Sequence, residues 1–224
     1  MRHRTTAATQ FASLIFLLLL GFSATAEAEQ VVVTPQDTYA EIDTQLATET
    51  MRALQKGSRK EKAQTIDAIK ASPDKYAPPV FYLLSNVLFE RGEKDEGAFW
   101  FYAGQLRARF DANRCADSSA RQAVSALNQE YGPPINQYAF KDIPKLEALI
   151  QRVVEWDRQT PHNYDHRWIN LHGMGAMLSG LGASSSDAKL SLPADQWELI
   201  AEKTRVDYLD GFQQAMAQMK GMKK

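Results

Sequence analysis

Cysteine is almost missing: Cys115 is the only one in 224 residues. An internal disulfide is excluded, and so is a metal site built on paired cysteines. Charge of one sign is equally scarce, since 26 basic and 27 acidic residues leave a net charge of −1. A strongly basic surface of the kind that binds nucleic acid is therefore not expected. β-like runs are limited to Val31-Val32-Val33, too short to build a sheet. Apolar runs are limited to Phe11–Phe22, shorter than the roughly 20 residues that a membrane-spanning helix needs. Catalytic signatures are missing too: there is no Gly-x-Ser-x-Gly elbow and no His-Glu-x-x-His pair.

What stands at the start has the three parts of a secretory leader. Arg2, His3 and Arg4 form a basic start, Phe11–Phe22 is the apolar run, and Ala24-Thr25-Ala26 is a small-x-small cleavage pattern. Residues 1–26 are read as a signal peptide, and residues 27–224 as the mature chain. Removal of the leader takes away Arg2 and Arg4 and no acid, which tips the balance further towards acids. The expected location is periplasmic or secreted. No cysteine follows the apolar run, so lipid attachment there is excluded. An oxidising compartment permits a disulfide, but Cys115 has no second cysteine, and a buried thiol is expected.

The mature chain repeats with helical spacing nearly throughout. Thr34-Pro35 looks like a helix start, and Tyr39, Ile42, Leu46, Ala53 and Leu54 then mark one face before Gly57. Ser58 and Glu61 match a capping box. Pro78-Pro79 opens a helix that Gly92 closes. Further helices are expected over 94–110, from about Asp117 to Gly132, after Asp142, after Asp165, and from about Pro193 onwards. The fold class is all-α: a helical bundle or short α-solenoid-like array of seven to eight helices in a single domain. If the chain has a seam, Gly132–Phe140, with its Gly-Pro-Pro, is the expected place. Phe99-Trp100-Phe101-Tyr102 places aromatic rings about 100° apart around a helix, which predicts a helix surrounded on all sides.

The segment Phe81–Phe110 resembles a tetratricopeptide or Sel1-like repeat. Leu84 and Ser85 fall where the family has leucine and a small residue, and Gly92 falls at the turn. Gly97, Phe101 and Gly104 match the small, aromatic and small positions of the second helix. The family's Trp, Gly and Tyr of the first helix are replaced, and Arg109 stands where a closing proline is common. No second copy follows, whereas about three are needed to bury a continuous face. The resemblance implies a pair of antiparallel helices and a role in binding peptides or proteins. It assigns no binding residue.

Three of the four histidines, His162, His166 and His172, lie within Thr160–Ala176. Zinc–nitrogen bonds of about 2.0–2.1 Å cannot be met by three histidines strung along one helix. Only His162 and His166, four residues apart, can share a face. They are the alternative reading, a metal-dependent envelope enzyme with further ligands from elsewhere. Asp165 has the character of an N-cap, which places His162 in the preceding loop and turns His166 towards solvent. His172-Gly173-Met174-Gly175 opens like a dinucleotide loop, but Leu178 stands where a third glycine belongs, and no strand precedes it.

The leading expectation is an exported, non-catalytic helical protein that binds another protein of the cell envelope, as an immunity or inhibitor protein or as a scaffold. No cofactor is expected. Asn163, Tyr164, Arg167 and Trp168 are the candidate contact residues, because Tyr, Trp and Arg are favoured at interface hot spots.

Overall fold

The computed structural model describes residues 34–183 and 189–222. The leader, Val31–Val33 and the middle of the Ser-rich stretch before Pro193 lie outside the described residues. Eight α-helices follow one another among the described residues: α1 (Gln45–Lys56), α2 (Arg59–Ala71), α3 (Pro78–Glu90), α4 (Lys94–Arg114), α5 (Gln122–Ala139), α6 (Ile143–Gln159), α7 (Met174–Gly180) and α8 (Trp197–Met222). No strand occurs among them; Cys115 and Ser191 form a lone antiparallel bridge. The fold is all-α, and the described residues fall in one compact unit, Val33–Lys224.

Local chemistry sets many of the helix ends. Ser58 accepts from the Glu61 amide while the Glu61 carboxylate accepts from the Ser58 amide, so the capping box forms. Pro78 and Pro79 occupy the first turn of α3, where a missing N–H costs nothing. Gly92 ends the hairpin turn at φ +87°, in the left-handed region that glycine enters without strain. Asp142 caps α6 through the Lys145 amide.

α4 is the central helix. It packs against α3, α5, α6 and α8, and carries no apolar stripe because nearly every face is covered. Trp100, Phe101 and Tyr102 are all buried. α3 and α4 run antiparallel and very close. A Cβ at Gly97 would stand 2.8 Å from the Ser85 carbonyl oxygen, and one at Gly104 would stand 3.1 Å from Phe81 Cβ. Small residues at these two places are what allow Phe81 to stack on Trp100, with ring centroids 5.2 Å apart. Trp156 of α6 meets both rings edge-on.

Two sequence expectations need correction. α5 does not stop at Gly132; it runs through Pro133 and Pro134 to Ala139, so residues 132–139 are helix and Phe140 is its C-cap. Both prolines face solvent, and the carbonyls they leave without donors belong to the exposed residues Gln129 and Glu130. Tyr131 and Ile135 on the opposite face are buried and hold the helix in place, while Gly132 lets the Phe101 ring approach. The first helix is also shorter than its pattern. Asp37 takes φ 51°, a short 3₁₀ turn spans Asp37–Tyr39, and α1 begins at Gln45, whose amide donates to Asp43.

Candidate functional site

The sequence between α6 and α7 carries the predicted site residues, and the structure pulls most of them inward. Asp165 does cap the next turn, accepting from the Arg167 amide at 2.9 Å. That turn is a 3₁₀ helix, His166–His172, rather than an α-helix. From this turn Trp168 reaches Asp111, one of three charged residues of α4, Arg107, Asp111 and Arg114, which sit at i, i+4 and i+7 and are all buried.

Two ion clusters result. In the first, Asp157 of α6 accepts from Arg107 Nε at 3.1 Å and from Arg205 Nε of α8 at 2.9 Å. His162 Nε2 lies 3.0 Å from the same carboxylate. Burial works to raise the Asp157 pKa, but the His162 hydrogen bond and the surrounding positive charges outweigh it, and the carboxyl is held below its ordinary value. Arg107 also donates to the Thr160 carbonyl and lies over the Trp156 ring, 4.4 Å from its centroid. In the second cluster, Asp111 accepts from Arg114 Nη2 at 2.6 Å, from Trp168 Nε1 at 2.7 Å and from the Tyr164 hydroxyl at 3.0 Å. Burial and the neighbouring Asp111 charge push the Tyr164 pKa well up, so its phenol stays protonated and donates.

These placements revise the candidate contact set. Trp168 is 3% exposed with its Nε1 on Asp111, and Tyr164 is half-buried with its hydroxyl on the same carboxylate, so the polar ends of both side chains turn inward. Arg167 is partly buried, forks onto Asp165 and reaches the Glu41 carbonyl. Asn163 is exposed, but both its amides donate to Asp74. For Tyr164 and Trp168 the physical reason is the buried Asp111 charge on α4, which needs donors and takes them from this segment.

The two histidines offered for a metal are likewise separated in role. His162 lies in the loop, as its position before the cap implies, and is engaged by Asp157. His166 does not point to solvent: its Nε2 lies 2.8 Å from Ser191 Oγ, and its ring meets Trp197 edge-on at 4.7 Å. Burial, helped by the nearby Arg114 charge, lowers its pKa to about 4. Among the described residues no group of three or more His, Cys, Asp or Glu is arranged to hold a metal ion. Cys115 is buried, with its Sγ against Asn170 Oδ1 and the Asp117 carbonyl, and burial pushes the thiol up to about 11.

Gly173 makes room for Asp117 and Gly175 for the Tyr39 hydroxyl, not for a phosphate. A Cβ at Gly173 would fall 2.3 Å from Asp117 Oδ2, and that oxygen accepts from the Gly175 amide at 2.9 Å. Ser119 Oγ accepts from the Met174 amide. The corner between α4 and α5 thus caps α7 from outside.

Apolar surface remains open beside this anchor. A groove of about 530 Å³ lies between α1, the start of α5 and the 166–172 turn, with Met51, Ala123, Leu127, Trp168, Leu171 and His172 among its walls. The Trp168 ring therefore helps to wall the groove while its Nε1 bonds Asp111. A smaller hollow of about 230 Å³ shares Leu171 and His172 with the groove and continues to Met174 and Met177. Beyond it α7 exposes Met174 (54%), Met177 (48%), Leu178 (43%) and Leu181 (60%), one stripe at i, i+3, i+4 and i+7. No sequence reading picked out this stripe; its period-3.6 pattern reads as a core-facing side until the packing of Ala176 and Ser179 is known.

The class defined by these observations is an all-α protein with a buried ionic interior and an open apolar face. In comparison with known proteins, the chain matches no family model, no curated protein and no solved structure.

Proposed function

We propose that this is an exported, non-catalytic helical protein that binds another protein of the cell envelope, as an immunity or inhibitor protein or as a scaffold. The observation that carries the binding reading is the continuous apolar face from the α1–α5 groove to the α7 stripe. Soluble proteins seldom leave such a face without a use. Methionines at its edge suit an adaptable contact, because their side chains repack at little cost. An apolar segment of the partner, laid in the groove with anchors one helical turn apart, fits this geometry. Export rests on the leader pattern of residues 1–26. The resemblance of α3 and α4 to a tetratricopeptide or Sel1-like hairpin supports the same reading, since Gly97 and Gly104 bring the two helices together at the family's small positions.

A photo-crosslinking amino acid placed at Met177 or Met51 in the native host is expected to capture the same envelope protein. Placed at the exposed Gln151 of α6 it is expected to capture none of it. Leu178→Asp is expected to abolish the Met177 product. Equal capture from Gln151, or capture that ignores Leu178→Asp, would overturn the reading.

A further inference from the structure

A second cleft, on the other side of α5 from the apolar groove, has a different chemistry. It encloses about 280 Å³ between α4, the start of α5 and α8, and its walls include Arg109, Arg121, Ser125, Asn128 and Asp207. Neither Arg109 nor Arg121 forms an ion pair with any described residue. Arg109 is held in place from below, with its guanidinium 5.0 Å from the centroid of the buried Tyr208 ring. Tyr208 is itself fixed, as its hydroxyl bonds Gln105 and the Tyr102 carbonyl. The Asn128 amide is oriented by its neighbours. Its Oδ1 accepts from both the Tyr82 hydroxyl and Gln105 Nε2, which commits the oxygen inward and leaves Nδ2 as a donor. The one carboxylate in the wall, Asp207, is neutralised by Lys203, whose Nζ lies 2.8 Å from both its oxygens.

We infer that this cleft is a binding site for a small oxyanion, the carboxylate or phosphate group of a ligand, held by Arg109 and Arg121. Guanidinium groups match the paired oxygens of carboxylates and phosphates, and they cannot lose their charge at any working pH. Two of them from different elements, one braced on an aromatic ring, form a two-sided clamp, with the Asn128 amide as a neutral donor between. The volume lies just below the range of about 300–1,000 Å³ typical of drug-sized ligands, which suits a compact anion. The site is independent of the proposed protein contact, because it uses none of the groove or stripe residues.

Inorganic phosphate and succinate, titrated separately into the mature protein at pH 7 and low salt, test this by NMR of the arginine Nε–H signals, with sodium chloride as the reference salt. Saturable shifts of Arg109 and Arg121 are expected with at least one probe. Saturation by phosphate alone identifies a phosphate site, by succinate alone a carboxylate site, and by both a general oxyanion site. Arg121→Gln removes an exposed side chain and leaves the core untouched; it is expected to weaken binding about tenfold or more, as for a lost charged hydrogen bond. Arg109→Gln is expected to do the same, while Arg152→Gln on α6 leaves binding unchanged. Shifts that merely track ionic strength, or equal weakening by Arg152→Gln, would overturn the inference.

Discussion

Changing Asp157 to Asn removes one negative charge and almost no volume, so the variant isolates the electrostatics of the first ion cluster. Asp157 is 3% exposed, Arg107 is fully buried and Arg205 is 7% exposed. Both guanidiniums bond this one carboxylate, and Arg107 has no other acid partner among the described residues. Removing one member of a buried pair typically costs about 3–5 kcal/mol, because the remaining charge stays desolvated without compensation. Asn keeps one acceptor, so the expected loss lies near the lower figure, about 3 kcal/mol. Against a typical total of about 5–15 kcal/mol, that is a large share of the stability. Urea unfolding followed by far-ultraviolet circular dichroism reads the change as a lower midpoint at unchanged slope. The Asp157 carboxyl stays ionised from pH 8 to pH 5, so its own titration adds no pH dependence to the loss in that window. The folded Asp157 pKa lies below the unfolded one, so its contribution is complete above the ordinary carboxylate range and fades only as pH falls through the lowered folded value. Asp207→Asn provides the contrast, since its exposed pair with Lys203 is worth less than about 1 kcal/mol. A loss under about 1 kcal/mol for Asp157→Asn would refute the reasoning and mean that water reaches the cluster.

Three further outcomes follow from the same structure. His166 has a folded pKa of about 4 against 6.5 unfolded, so the unfolded state takes up a proton first, and stability falls as pH drops from 6.5 towards 4. The slope due to this residue is at most about 1.4 kcal/mol per pH unit, and thermal melts of the protein and of His166→Gln across that window are expected to differ in slope. Gly97→Ala is expected to destabilise by about 1–3 kcal/mol, because its Cβ meets backbone that cannot give way, whereas Gly211→Ala, with open space around it on α8, is expected to stabilise by up to about 1 kcal/mol in the same denaturation assay. Cys115 is expected to resist thiol reagents at pH 8 until the protein is unfolded, and rapid labelling of the native protein would contradict its burial and raised pKa.

Where a structural cause is local, the sequence discloses it. Ser58 with Glu61, the paired prolines of α3 and Gly92 each act within four residues of themselves, and Asp165 caps its own turn as its type predicts while also accepting from the distant Asp43 amide. The four adjacent aromatics of α4 also reveal a surrounded helix, because no single stripe can bury them. Causes that join distant segments are hidden. Arg107 meets Asp157 fifty residues away, and Arg205 meets it forty-eight residues away. No spacing reports such a meeting. The one available signal was the charged trio Arg107, Asp111 and Arg114, spaced i, i+4 and i+7 in the same helix as the four adjacent aromatics; read as a buried face, it asks for partners, and Tyr164 and Trp168 are two of them. The cover of His166 is hidden from the sequence because it comes from Ser191, late in the Ser-rich stretch, and from Trp197 after it. The course of α5 through Pro133 and Pro134 depends on which side of the helix is buried, and tertiary packing decides that.

The Asp117 carboxylate gives the open face its bearing. α7 is only two turns long and is tied at its first turn to a corner of the scaffold more than fifty residues earlier in the chain. The heading of the exposed side chains at 174, 177, 178 and 181 is thereby set from outside the segment, by Asp117 on the Gly175 amide, Ser119 on the Met174 amide and the Ser179 hydroxyl on the Gln36 carbonyl. Asp117→Ala leaves the composition of the stripe intact and removes one of the ties that aim it.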